Sequence, residues 1–160
     1  MEYINLKKDN ILRIGLRTAE GQETGECWEF DLEDIELPLR LQKLIDEHKK
    51  NAKYFETQLL IIDKKQDHKG KKLLSSKQEE TVKAWREYYR KEIEVFDMFL
   101  GKDGCKKYLN GRNPYYTMFK DIEEAINSIM PLIKQRSVDI KDLIKSKYGG
   151  KSEDVLEEAE

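Results

Sequence analysis

The chain has 160 residues, about the length of one domain, and its 30 Lys plus Arg nearly balance its 32 Asp plus Glu. Charged residues make up 39% of it, well above the roughly 25% typical of soluble domains, which favours long solvated helices over a bulky core. The formal net charge of −2 gives no overall attraction to nucleic acid or to an anionic membrane. Because the N-terminus lacks an apolar signal region and no apolar run approaches ~20 residues, we expect a cytoplasmic protein with reduced cysteines and no membrane partner.

Two segments near the N-terminus alternate between apolar and polar residues, which predicts two strands with one buried face. The segments are 10–18 and 26–32, and the polar, glycine-containing stretch 19–25 suits a hairpin loop. Their inward residues are Leu12, Ile14, Leu16, Trp28, Phe30 and Leu32. Residues 3–6 offer a further short strand. Since a two-stranded hairpin is marginal alone, its apolar face is expected to cover a helix or another subunit.

From Pro38 the apolar period becomes helical, and Pro38 itself suits the first turn, where its missing N–H costs nothing. Spacings of four and three residues predict a helix that packs within a small bundle. The residues of this seam are Leu41, Ile45, His48, Ala52, Phe55, Leu59 and Ile62.

A second helix is predicted after the lysine-rich segment around Gly70. Ser76 to Glu79 has the pattern of a capping box, in which a Ser cap is followed three residues later by Glu. Gly101 suits the end of this helix, because glycine tolerates positive φ. The apolar stripe between them is Val82, Trp85, Tyr89, Ile93, Phe96 and Leu100.

A third helix is predicted to begin at Asn113 and Pro114, a cap followed by a first-turn proline. Pro131 predicts a kink or an early end, and a separate shorter helix is expected from Asp139 to Tyr148. The stripe of the third helix is Tyr115, Met118, Phe119, Ile122, Ile126, Ile129 and Ile133.

These elements predict an α+β, mainly helical fold. A single domain over 1–150 would hold the β-hairpin within 1–35 and three to four helices, packed as a small bundle, within 37–148. The segment 152–160 carries five acids and no base, and 151–160 is predicted to be an acidic disordered tail.

The segment 101–112 contains the residues most suggestive of chemistry. Its glycines lack the spacing of a nucleotide-binding P-loop, and no Ser or Thr follows Lys102, so turns are predicted at 101–104 and at Gly111. Cys105 is followed by two lysines, but no histidine is placed to act as its base, and a small buried residue is expected there. The cysteines and histidines have no zinc-ligand spacing. We therefore expect no enzyme, no cofactor and no metal site.

The segment 64–77 carries six Lys and one Asp. It could contact nucleic-acid phosphates, which would give weak and salt-sensitive binding. A small nucleic-acid-binding regulator is therefore the alternative function. A solvated linker between helices explains the same run, so nucleic acid is the less expected partner.

The stretch 96–122, FDMFLGKDGCKKYLNGRNPYYTMFKDI, resembles the tail assembly chaperones of long-tailed phages and prophages of Gram-positive bacteria. The family phrase D-x-F-L-G-x-G-x-x-K-K-I-F-G is matched by Asp97, Phe99, Leu100, Gly101, Gly104, Cys105, Lys106, Lys107, Tyr108 and Gly111. The following M-F-x-D helix is matched by Met118, Phe119 and Asp121, and an earlier F-D-L phrase by Phe30, Asp31 and Leu32. Residues 108–111 depart from the family in being longer and more polar.

The resemblance implies a non-enzymatic protein that binds the tape measure protein, keeps its apolar helices soluble and recruits tail tube subunits. It also implies a site of action in the host cytoplasm and absence from the finished virion. Self-association is a further possibility, because the predicted seam helix could pair between subunits. The candidate partner-binding residues are Trp28, Phe30, Phe96, Phe99, Leu100, Lys106, Lys107, Tyr108 and Arg112. Trp28, Phe30, Phe96 and Leu100 lie on predicted buried stripes, which favours a core role for them. Lys106, Lys107 and Arg112 are the better candidates for exposed contacts.

Overall fold

A computed structural model describes residues 1–148. Within them lie a two-stranded antiparallel hairpin and four helices, which confirms the predicted α+β, mainly helical class. The elements are β1 (Ile11–Arg17), β2 (Glu23–Asp31), α1 (Leu37–Asp63), α2 (Ser76–Leu100), α3 (Gly104–Leu109) and α4 (Met118–Tyr148). The predicted tail at 151–160 lies outside the described residues.

The hairpin has the predicted inward face, with Leu12 opposite Phe30 and Ile14 opposite Trp28. Strand β2 begins three residues earlier than predicted, because Gly25 adopts φ +80° and the register shift beyond Gly15 admits these residues to the ladder. The expected short strand at 3–6 is wrong: residues 1–10 carry no regular structure and find no strand partner.

Helix α1 begins at Leu37, with Pro38 in its first turn as predicted. The predicted seam is only partly right. Leu41 and Ile62 are buried, but the other seam residues are half-buried, and Leu44 and Asn51 are buried instead. The reason is that α1 contacts α2 along one face and α4 along another, so two neighbouring stripes share the burial.

The capping box of α2 stands one residue before its predicted place. The Ser75 hydroxyl accepts a hydrogen bond from the Gln78 backbone N–H at 3.2 Å, and the Gln78 side chain accepts one from the Ser75 N–H at 2.9 Å. Glutamine serves the third helical position as well as glutamate does. The helix ends at Leu100 and is followed by Gly101 at φ +96°, as predicted.

Where only turns were predicted, the six residues of α3 form a short helix. Asp97 stabilises its start, because its carboxylate accepts a hydrogen bond from the Cys105 N–H at 2.8 Å. The non-glycine residues Asp103 and Asn110, at φ 58° and 48°, flank it. A helix this short is too brief to establish a hydrophobic period.

The predicted start of the third helix at Asn113 and Pro114 is wrong, since α4 begins at Met118. Pro131 lies inside α4 and does not end it, so the helix predicted from Asp139 is the C-terminal part of α4. Apart from Tyr115, which precedes α4 and is half-buried, the predicted stripe is confirmed on both sides of the proline. Its burial outweighs one lost backbone hydrogen bond. The buried members are Met118, Phe119, Ile122, Ile126, Ile129 and Ile133.

The hairpin, α2 and α3 meet at Gly104. The Trp28 indole Nε1 donates a hydrogen bond to the Gly104 carbonyl at 2.9 Å, and Phe30 packs on Phe99 with ring centroids 5.1 Å apart. A Cβ at Gly104 would lie 2.4 Å from the Leu100 Cβ, so this close approach requires glycine. Trp28 and Phe30 are thereby buried, at 2% and 1% exposure.

We predict that Gly104→Ala lowers the free energy of unfolding by about 1–3 kcal/mol, because the new methyl group must displace Leu100. Urea denaturation with far-UV circular dichroism measures it. Gly15→Ala is the matched control, since a Cβ there meets nothing within 4 Å, and it should change stability by less than about 0.5 kcal/mol. Equal stability of the two variants would contradict the packing at Gly104.

Candidate functional site

A buried carboxylate joins α1 to α2. Glu92 of α2 has no exposed surface. Its carboxylate accepts a hydrogen bond from the Asn51 side chain at 2.9 Å and lies 2.7 Å from Nδ1 of His48. The Asn51 amide also reaches the Tyr88 carbonyl at 3.4 Å. Because an unpaired buried carboxylate is costly, this polar network fixes the register of α1 against α2.

The half-buried His48 is the titratable member of the network. Its hydrogen bond to Glu92 raises the pKa of His48, burial opposes this, and the charges of Glu92 and Glu123 add to the rise. The His48 ring also meets Phe96 edge-on, with centroids 5.8 Å apart. His48 therefore favours the protonated form more than a free histidine does.

Beside the network lies an aromatic cluster, defined as Phe55, Trp85, Tyr88, Tyr89, Tyr116 and Phe119. Phe55 contacts both Trp85 and Tyr88 with centroids 4.6 Å apart, and Trp85 contacts Tyr116 at 5.6 Å. Burial raises the pKa of Tyr88 to about 12, so its hydroxyl stays protonated near neutral pH. Such interlocked rings hold one another in place.

All rings of the cluster except Tyr89 line an open cavity of about 310 Å³ between α1, α2 and the start of α4, here called the aromatic groove. Ala52 leaves space on α1, and Tyr116 remains 76% exposed at the edge. Lys120 and Glu123 of α4 also line it and place one charge of each sign there. The groove is thus apolar inside and polar at its border, which is the usual composition of a binding cleft.

A second cavity, of about 510 Å³, follows another face of the α1–α2 pair and is here called the charged groove. Tyr54 lines it and is 60% exposed. Charged side chains of both signs surround it, including Glu47, Lys50, Glu87 and Arg90. Since Arg90 already pairs with Glu87 and Glu94, much of this charge is satisfied within α2.

The structure separates the predicted partner-binding residues into two groups. The apolar members are core residues with at most 4% exposure, so their side chains offer no open contact surface: Trp28, Phe30, Phe96, Phe99 and Leu100.

The polar members lie around α3. Lys106 is exposed, whereas Lys107 is half-buried and its ammonium donates to the Cys27 carbonyl at 3.3 Å. Tyr108 stacks on Trp28 with centroids 6.1 Å apart. Arg112 is exposed and lies over the Tyr115 ring at 4.3 Å. Lys106 and Arg112 are therefore the predicted residues that remain open to a partner.

Cys105 is a small buried residue, as predicted, with 0% exposure. Burial raises the pKa of its thiol, and the neighbouring Asp97 carboxylate adds to the rise. A protonated, enclosed thiol is a poor nucleophile. Among residues 1–148, no group of three or more His, Cys, Asp or Glu is arranged to hold a metal ion.

Sequence reasoning missed both the polar network and the aromatic groove. The signal for the network is Glu92, a charged residue spaced four from Tyr88 and four from Phe96 on a helix that buries Val95, Phe96 and Phe99. A carboxylate at such a position needs a partner, and His48 with Asn51 on α1 supplies it. The groove had no such signal, because it is assembled from three separate helices.

Comparisons with protein-family models, with curated proteins and with solved structures find no match. In the described part of the chain, no helix has both the length and the apolar composition that crossing a membrane requires.

We predict that Glu92→Gln lowers the pKa of His48, which histidine proton chemical shifts measure in an NMR titration. A raised folded-state pKa contributes stability below the unfolded value of about 6.5 and loses it as pH rises through the folded value. The stability gap between the wild type and Glu92→Gln should therefore be larger near pH 6 than near pH 8.

Glu94→Gln is the control for this experiment, since Glu94 is an exposed glutamate on the same helix that pairs with Arg90. It should leave the His48 titration unchanged. A His48 pKa that is the same in the wild type and in Glu92→Gln would contradict the hydrogen bond.

Proposed function

We propose that this protein is a tail assembly chaperone of a long-tailed phage or prophage, acting without catalysis. Its partner is the tape measure protein, whose amphipathic helices it binds and keeps soluble. The observation that carries this proposal is the aromatic groove, an open cavity lined by aromatic rings of α1, α2 and the start of α4.

The groove has the form that an amphipathic helix needs. Helix-in-groove recognition places apolar side chains of the partner, spaced three and four residues apart, into an apolar cleft between helices. Here Phe55 and Trp85 hold each other at 4.6 Å, so little side-chain freedom is lost when a partner docks. Lys120 and Glu123 can pair with the polar face of that partner.

The residues that carry the family resemblance support the proposal in a different way. Asp97 binds the start of α3, Gly101 follows the end of α2 at positive φ, and Gly104 allows close packing on Leu100. They all build one local structure, the corner between α2 and α3. Related proteins with one fold are expected to keep the residues that build its local structure.

Recruitment of tail tube subunits requires a second surface. Lys106 and Arg112 are exposed near the corner, so their side chains can contact a partner. The Arg112 guanidinium, stacked on Tyr115, presents its edge for pairing with an acidic partner. We assign tail tube subunits to this surface and the tape measure protein to the aromatic groove.

We predict that Tyr116→Ser weakens binding of a purified helical segment of the tape measure protein about tenfold, as expected when one aromatic contact is removed from an interface. Isothermal titration calorimetry measures it. Tyr54→Ser is the matched control, because Tyr54 is similarly exposed but lines the charged groove. Both variants should keep the wild-type unfolding midpoint.

The same two variants can also contradict the proposal. A larger loss of affinity with Tyr54→Ser than with Tyr116→Ser would place the binding site in the charged groove. Absence of binding by the wild-type protein, to any segment of the tape measure protein, would reject the chaperone function.

A further inference from the structure

The connection between α1 and α2 is exposed and basic; together with the first two residues of α2 it is here called the lysine tip, residues 64–77. Lys65 pairs with Glu80 at 3.1 Å, and the Lys77 ammonium donates to the Asp63 carbonyl at 2.8 Å. The remaining lysines make no ion pair within the described residues and are exposed: Lys64, Lys69, Lys71 and Lys72. The lysine tip therefore holds positive charge that this part of the chain leaves uncompensated.

Apolar side chains accompany that charge. Leu73 is 89% exposed, and Leu60 and Ile61, near the end of α1, are 59% and 47% exposed. A surface that combines exposed leucines with free ammonium groups suits a partner that is both acidic and partly apolar. The segment 152–160, SEDVLEEAE, has that composition: five acids and no base, with Val155 and Leu156 in its middle.

The direction of α4 places Tyr148, its last described residue, at the end of the molecule opposite the lysine tip. Near its start, Tyr116 contacts Trp85 and Glu123 lines the groove with His48. Farther along, the Arg136 guanidinium pairs at 2.8 Å with Glu33, which precedes α1. Helix α4 thus runs antiparallel to α1, away from the lysine tip.

The lengths of the helices argue against a contact within one chain. The 27 residues of α1 separate the lysine tip from the Glu33 end by about 40 Å, and α4 continues beyond Arg136 to Tyr148 for about 18 Å more. Residues 149–160 can span at most ~42 Å even when fully extended. This reach is shorter than the path of about 58 Å from Tyr148 back to the lysine tip, which is the sum of the two helix lengths.

We infer that the acidic segment 152–160 of one copy binds the lysine tip of a second copy, so that copies of this protein associate head to tail. Val155 and Leu156 meet the exposed leucines, and the carboxylates meet the ammonium groups. The contact is heterologous, because different surfaces of the two copies take part, and it can therefore repeat along a row of copies. It does not depend on the chaperone function.

Complementary charge reversal tests the contact in the full chain. A tip variant carries Lys69→Glu, Lys71→Glu and Lys72→Glu, and a tail variant carries Glu153→Lys, Glu157→Lys and Glu158→Lys. Sedimentation velocity at low salt should show concentration-dependent association of the wild type, weakened at least about tenfold in each variant alone. An equimolar mixture of the two variants should associate again, since each supplies the reversed partner of the other.

Salt and a control variant complete the design. Association of the wild type should weaken between about 0.05 M and about 0.5 M salt, because exposed charge pairs are screened. Lys43→Glu is the control, as an exposed lysine near the start of α1 and so far from the lysine tip, and should associate as the wild type does. A wild type that stays monomeric up to about 1 mM, or variants that remain monomeric when mixed, would overturn the inference. The inference would also be overturned if the tip variant lost nucleic-acid binding while the tail variant associated as the wild type does.

Discussion

The hydrogen bond from the Trp28 indole to the Gly104 carbonyl is the contact on which the arrangement of the chain depends. A two-stranded hairpin has too little buried surface to be stable alone, and this bond secures it to the corner between α2 and α3. The corner can accept Trp28 because Gly104 lies directly against Leu100. From there the chain leads through α3 to α4, which brings Tyr116 beside Trp85 and so completes the aromatic groove.

A second constraint acts within the helix pair. Two apolar helix faces could slide along each other at little cost, but Glu92 must remain with Asn51 and His48, because a displaced carboxylate would be buried without a partner. The network thereby holds Phe55 against Tyr88, which are the floor of the groove. A polar contact that adds little net stability can in this way determine the shape of a binding surface.

Elements with a long hydrophobic period were predictable from the sequence. The hairpin face, the start of α1, the end of α2 and the buried stripe of α4 all follow from alternation or helical spacing together with Pro or Gly at the ends. Helix α3 was missed because it is short and depends on a distant carboxylate, Asp97. The continuity of α4 through Pro131 was missed because burial on both sides offsets the lost bond. The aromatic groove was out of reach, since it joins residues from 48 to 123 whose proximity only the packing decides.

The central claim is that the aromatic groove receives a helix of the tape measure protein, and the two tryptophans of the chain allow a direct test. Trp85 lines the groove, whereas Trp28 is buried in the hairpin core. Fluorine NMR of protein labelled with 5-fluorotryptophan, titrated with the tape measure helix, resolves one resonance from each, and Trp85→Phe assigns them. The account predicts that the Trp85 resonance shifts on binding while the Trp28 resonance stays in place. Binding that leaves the Trp85 resonance unchanged would contradict it.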